Sequence, residues 1–338
     1  MMQGGLIDLG GSGRILAVAA TVIALALPFL VPALSTQLTF LWVMIVFALT
    51  WDIMGGQMGY NSFGNVLFFG VGMYVCAVVQ RDSGLGYFPA LFVGLATSAA
   101  IATAVAAILG TGLLGLRGQY FAIGTLGLGI AAGEIASSWE YVGAGGGMTV
   151  PLYPGDIEFR KTFFYFLCLS LAVVNFVTLS RLYRTRFGLA LNAIRDDEDK
   201  AESMGLHTTR YKTVAWCISA LFLGVAGGLV GNIIGFVDPR DIAFASTTYG
   251  VWMVLMAILG GKGTLWGPVI GAVVFHTAQE LFWIYVLNWQ RVALGLLIVI
   301  IVVFFPQGIL GWARERWPSR FGVTVNEGKG HIHMAGDT

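Results

Sequence analysis

The sequence predicts an all-α polytopic membrane bundle of about ten transmembrane helices, with both termini cytoplasmic. Composition is the first observation behind this. Of 338 residues, 57% are hydrophobic and 11% are charged, with a mean hydropathy of +0.79, whereas an ordinary soluble domain carries about 25% charged residues. The second is that the apolar residues come in runs of span length, about 20 residues each, and the loops left between them are too short for a soluble domain. The third is the single long polar interruption, residues 181–212. It holds seven of the 19 Lys and Arg residues, and five acids fall between Asp196 and Glu202.

The candidate spans are residues 15–34, 38–54, 63–79, 87–109, 120–139, 162–182, 213–236, 243–260, 265–283 and 292–310. Helices are expected because lipid cannot satisfy an open backbone, and the period-2 alternation of a membrane barrel is absent. Run 15–34 is too long for a signal-peptide core and is preceded by one cation, Arg14, so it is expected to stay as a span. With the polar interruption placed in the cytoplasm and each span crossing once, fourteen cations fall inside and five outside. That asymmetry fits the positive-inside rule. Cys76, Cys168 and Cys217 each lie in an apolar run and are expected to pack as small apolar residues. No metal site is expected, since His331 and His333 sit in a polar tail and no ligand spacing occurs.

Two glycine-rich connections stand out on the inner side. One, residues 55–64, leads into the third span with Gly59 and Gly64, and Gly70 and Gly72 follow. The other, residues 260–268, carries Gly260, Gly261, Gly263, Gly267 and Pro268. They are either tight turns and close packing through small residues or interrupted backbone beside a transport path. Asn61, Ser62, Asn65 and Thr125 are the polar candidates for lining such a path. Ionisable residues within spans are functional candidates by default, because placing them in lipid is costly. Asp52, at the inner end of its span, reads as a cap or a solvated interfacial group. Glu134 suits either a buried hydrogen bond within the bundle or a path lining. His276 and Glu280 share a helix face four residues apart and suit a bonded pair or a proton or substrate role. The loop 141–161, with its glycine run and two prolines, is either a receptor for an external partner or a plain connection.

Within the polar interruption, Asp196 or Asp197 can cap a short helix whose first turn is acidic. Gly205 stops it near Met204. Ala193, Ile194, Ala201 and Met204 offer apolar contacts, while Asp197, Glu198, Lys200 and Glu202 stay polar. A helix this short is marginal alone and needs a surface to lie on. No phosphate loop, HExxH or CxxC motif is present, so enzyme chemistry and nucleic-acid binding have no support.

Asp199-Lys200-Ala201-Glu202-Ser203-Met204-Gly205 resembles the ATPase-coupling loop of ABC-importer permeases. Its flank, Phe187-Gly188-Leu189-Ala190 with Ala193-Ile194-Arg195-Asp196, resembles the branched-chain amino acid permeases. Agreeing stretches occur in order at 62–74, 116–126, 260–272 and 305–311, and the length is nearer the LivM than the LivH half. The acid usual four positions after Thr125-Leu126 is replaced by Ile130, with Glu134 a turn later. The resemblance implies a permease domain at 15–311, including a cytoplasmic coupling loop at 183–212, between tails 1–14 and 312–338. It implies coupling residues Arg195, Asp196, Asp197, Glu198, Asp199, Ala201, Glu202 and Gly205. It also implies a second, homologous permease, two cytoplasmic ATPases that carry the ATP and Mg, an extracytoplasmic solute-binding protein and a bacterial inner membrane. The solute is a branched-chain amino acid or, since the family also covers them, urea or a short amide. An ATP-independent channel or carrier using Glu134, or Glu280 with His276, is the alternative from another class.

Overall fold

The computed structural model describes residues 24–285 and 307–316, with residues 292, 295, 296 and 299 between them. Tails 1–14 and 317–338, with Arg14, His331 and His333, most of expected span 292–310 and the Phe305-Pro306 pair lie outside the described residues. Among the described residues, eleven α-helices have both ends defined: α1 Ser35–Gly55, α2 Val66–Asp82, α3 Tyr87–Leu113, α4 Gly118–Ser138, α5 Ile157–Tyr183, α6 Arg186–Asp196, α7 Glu198–Ser203, α8 Thr208–Ile234, α9 Val251–Gly260, α10 Trp266–Tyr285 and α11 Gly308–Arg316. Among the described residues, six segments are long and apolar enough to cross a membrane: Pro32–Gly55, Tyr87–Leu113, Gly118–Ser138, Ile157–Tyr183, Thr208–Ile234 and Pro239–Gly260. The chain is an all-α, multi-pass membrane protein.

Helix α1 is the centre. It is apolar on every side and packs on α5, α8, α9 and α10. Around it, α2, α3 and α8 form one tight cluster and α9 with α10 another. Lipid gives no hydrophobic drive between helices, so small residues that let backbones meet carry the packing. A Cβ on Gly72 would overlap the Gly224 backbone, and one on Gly227 the Phe69 carbonyl. Ser98 Oγ donates to the Gly72 carbonyl at 2.7 Å. In the second cluster Gly260, Gly267 and Gly271 leave no room for a side chain, and Pro268 is buried beside them.

Helix α4 is different. It buries one stripe, Phe121, Thr125, Gly129, Gly133 and Ala136, at the spacing of one helix face. The opposite face exposes Tyr120, Ile123, Ile130 and Ile135. Its stripe leans on residues 239–250, where a single straight helix was expected over 243–260. That segment is two π-helical turns, Pro239–Ala243 and Ser246–Gly250, ahead of α9. Asp238 caps the first turn, accepting from the Arg240 and Asp241 amides. Two short strands, Met148–Thr149 (β1) and Phe236–Val237 (β2), pair antiparallel and tie the 139–157 connection to the end of α8, a small departure from an all-helical chain. Helix α11 crosses the tail boundary expected at 311 and packs under α9 and α10.

The connections sort to two ends. Residues 55–65, 114–117, 183–212, 260–265 and 307–311 meet at one, through Tyr60, Leu114, Lys212, Asp52, Gly263, Gly261 and Leu310. Residues 80–87, 139–157 and 232–240 meet at the other, through Arg81 with the Tyr141 carbonyl, Tyr87 with Asn232 and the pairing of Met148 with Val237.

Candidate functional site

Helices α6 and α7 form a platform across the first of these ends. Thr185 opens α6, its hydroxyl accepting from the Phe187 amide at 3.2 Å. Gly188, Ala190, Leu191 and Ile194 face inward, and Leu189 faces out. A Cβ on Gly188 would press on the Tyr183 backbone. Of the two cap candidates, Asp197 serves. Its extended backbone breaks the chain between α6 and α7, and its carboxylate accepts from the Lys200 amide at 3.0 Å. Asp196 instead ends α6 in an ion pair with Arg195 at 3.1 Å. Lys200 returns to Asp197 at 2.8 Å, and its hydrogen bonds hold the Asp197 carboxyl below the usual range. Gly205 follows α7 at φ +86°, and a Cβ there would meet nothing within 4 Å. Backbone conformation, not space, asks for glycine there. Ala201 is buried as expected from its pattern, whereas Met204, expected to pack, is 85% exposed.

Glu198 departs most from its expectation. It turns inward, its side chain 11% exposed, toward Lys212, which is 2% exposed. Lys212 Nζ donates to Glu198 Oε1 at 2.6 Å, to the Leu114 carbonyl at 2.7 Å and to Tyr60 Oη at 3.0 Å. Tyr60 donates in turn to Glu198 Oε2. Burial alone would raise the Glu198 carboxyl. The hydrogen bonds from Lys212 and Tyr60, with Lys212 and Arg117 close by, hold it below the usual range instead. Burial and the Glu198 hydrogen bond push the Tyr60 phenol up. Arg117 covers the outer side of α7, 2.6 Å from Asp199, 3.7 Å from Glu198 and 3.8 Å from Glu202. Glu202 also accepts from the Thr208 hydroxyl at the start of α8.

The two glycine-rich connections come together beneath the platform. Asp52 is buried, not solvated, and accepts from the Gly263 amide at 2.7 Å. Arg195 passes between them: its Cγ would lie 3.2 Å from a Cβ on Gly59 and its Nη1 3.7 Å from one on Gly263. Gly64 abuts the Thr125 backbone and Gly70 the Phe244 ring. Asn61 is exposed. Ser62 and Asn65 are fully buried and bonded to each other at 2.8 Å, and Trp216 Nε1 reaches Asn65 at 3.1 Å. Buried Thr125 accepts from the Phe63 amide at 3.2 Å. These three polar groups hold turns and helices together within the chain.

Glu134 lies four residues from the end of α4 and is more than half exposed, paired with Arg240 at 2.8 Å. It is not a buried bond within the bundle. His276 and Glu280 do not bond each other; the His276 ring Nε2 lies 2.9 Å from the Gln37 carbonyl on α1. Among the described residues no hydrogen bond or ion pair joins Glu134 to His276 or Glu280. The groups that sequence reasoning missed are Tyr60, Arg117 and Lys212. Lys212 looked like one more loop cation because the apolar run begins after it. The signal available was its position on the second turn of a helix opening at Thr208.

Residues 33–302 match the family described as "Branched-chain amino acid transport system / permease component". The chain is similar to the Salmonella typhimurium protein named "High-affinity branched-chain amino acid transport system permease protein LivM", 29% identical over 343 residues, 93% of this chain and 79% of the relative. The LivM protein of Escherichia coli matches to the same extent. The LivH protein of Salmonella typhimurium is 30% identical over 142 residues, 42% of this chain and 43% of the relative. No solved structure matches. With the family matching across most of its length, the chain belongs to the permease components of branched-chain amino acid transport systems.

Proposed function

We propose that this chain is one permease subunit of an ABC importer that moves branched-chain amino acids into the cytoplasm by ATP-driven alternating access. It does no covalent chemistry; ATP and Mg belong to two partner ATPases on the platform side. A LivH-type permease completes the membrane unit, and a solute-binding protein delivers the amino acid from the opposite side. The subunit crosses a bacterial inner membrane about ten times, with both termini and the α6–α7 platform in the cytoplasm. Residues 15–311 are its permease domain. Arg195, Asp196, Asp197, Glu198, Asp199, Ala201, Glu202 and Gly205 are the coupling residues within 183–212.

The observation that carries this proposal is the platform itself. A six-residue helix cannot hold its own shape, yet α7 is fixed to the bundle by Lys212, Tyr60 and Arg117 and presents Met204 and acids outward. A lone channel or carrier has no use for such a part. The names of the similar LivM proteins supply the solute.

The test is purification of the chain with its native partners in mild detergent, followed by reconstitution into liposomes. A second permease and two ATPases are expected to co-purify in comparable amounts, and labelled leucine is expected to accumulate only with ATP on the ATPase side. Uptake driven by a proton or sodium gradient without ATP overturns the proposal. Accumulation of urea or acetamide in place of leucine overturns the choice of solute.

A further inference from the structure

We infer that Lys212 and Arg117 are positioning residues that make α7 a lever on α4, an inference that rests on the importer function proposed above. Lys212 has three donors and no acceptor. All three are used, on Glu198, the Leu114 carbonyl and Tyr60, and Tyr60 closes the ring onto the second oxygen of Glu198. The ammonium also lies 4.7 Å from the Tyr60 ring centroid, where the ring face attracts a cation. This closed unit joins α7, α8, the α1–α2 turn and the end of α3.

A buried ion pair contributes little net stability, and in some proteins such pairs fix one arrangement of the chain. Only Ala201 of α7 is a buried residue, so the orientation of α7 comes from this unit, from Arg117 and from the Thr208 hydroxyl on Glu202. Arg117 sits at the N-cap of α4, three residues after the Leu114 carbonyl that Lys212 holds. Any displacement of α7 is therefore delivered to the α3–α4 joint. Of the span-length helices among the described residues, α4 has the smallest buried share and leans on the interrupted segment 239–250. Within this chain it is the span least held in place.

The experiment compares the complete reconstituted complex with its Lys212→Met and Arg117→Gln forms. It measures partner co-purification, basal ATP hydrolysis and leucine molecules accumulated per ATP hydrolysed. Both variants are expected to co-purify with their partners and to hydrolyse ATP within twofold of the parent, while uptake per ATP falls at least tenfold. Arg117 is half exposed, so its variant folds and decides the matter even where Lys212→Met does not insert. Unchanged uptake per ATP in Arg117→Gln overturns the lever, and loss of the partners in that variant overturns it by assigning the contact to assembly. If the parent complex itself shows no ATP-driven uptake, the importer function fails and the lever falls with it; if the parent couples and the Arg117 variant couples equally, the lever alone fails.

Discussion

Helices α8 and α4 are built from the same materials and behave as opposites. Each is a span-length apolar helix with several glycines and a charged side chain about one turn from one end, Lys212 in α8 and Glu134 in α4. In α8, Gly224, Gly227 and Gly228 face neighbouring backbones or side chains with no space to spare, and Lys212 is sealed among three partners. In α4, Gly127 faces nothing within 4 Å, and Glu134 pairs with Arg240 where both are more than half exposed. Composition therefore tells little about a membrane helix's role. What differs is how much of its circumference the rest of the chain covers.

The largest expected contrast is between glycines. Gly227→Leu drives a side chain into the Phe69 carbonyl and the Met73 amide, and overpacking against backbone cannot be relieved by a rotamer change. It is expected to leave no monodisperse protein on size exclusion, whereas Gly127→Leu elutes like the parent. Equal behaviour of the two breaks the comparison.

Next come the ionisable groups. Glu198→Ala strands a buried ammonium, and removing one partner of a buried pair costs about 3 kcal/mol or more. Glu134→Ala removes an exposed pair worth within about 1 kcal/mol. Thermal midpoints in detergent should separate the two clearly, and a smaller loss for Glu198 shows that Lys212 finds other partners.

A pH series sharpens the same contrast. The Glu198 carboxyl is held below its usual value of 4.5, so the unfolded chain binds its proton more readily than the folded one. Its contribution is fully present above about pH 4.5 and is lost as pH falls through the lower folded-state value. The midpoint difference between the parent and Glu198→Gln is expected to stay constant from pH 7 to about 4.5 and to shrink below it. A difference that shrinks above pH 5 places the titration on another group.

The smallest effect is expected at Ile123→Ser on the open face of α4, where Ile123 is 69% exposed. Its stability in detergent should stay within about 0.5 kcal/mol of the parent. A larger loss means that the face is covered within this chain.

Much of this was legible beforehand for one physical reason. Lipid forces long apolar runs, so α1, α3, α5 and α8 announce themselves within a few residues of their observed bounds. The short helix α7 was legible through local chemistry, a capping Asp and a stopping Gly, both within seven residues of it. What stayed hidden depends on distant partners. Nothing near Lys212 says that Tyr60 will meet it, and nothing near Asp52 points to the Gly263 amide. Nothing near Glu134 says that Arg240, 106 residues on, meets it on a face the chain leaves open. The break at 244–245 carries no sequence signal, because Phe244 and Ala245 are apolar enough to continue a helix.

The separation of Tyr60 and Lys212 has a consequence for how the protein is made. They are 152 residues apart, and ribosomes add about 5–20 residues each second. After Tyr60 leaves the ribosome, on the order of 10 s passes before Lys212 follows it. Through that interval α2 and α3 wait in the translocation machinery or the bilayer without α8, the helix whose glycines they are shaped to receive. The newborn chain must keep those faces from choosing another companion until its own arrives.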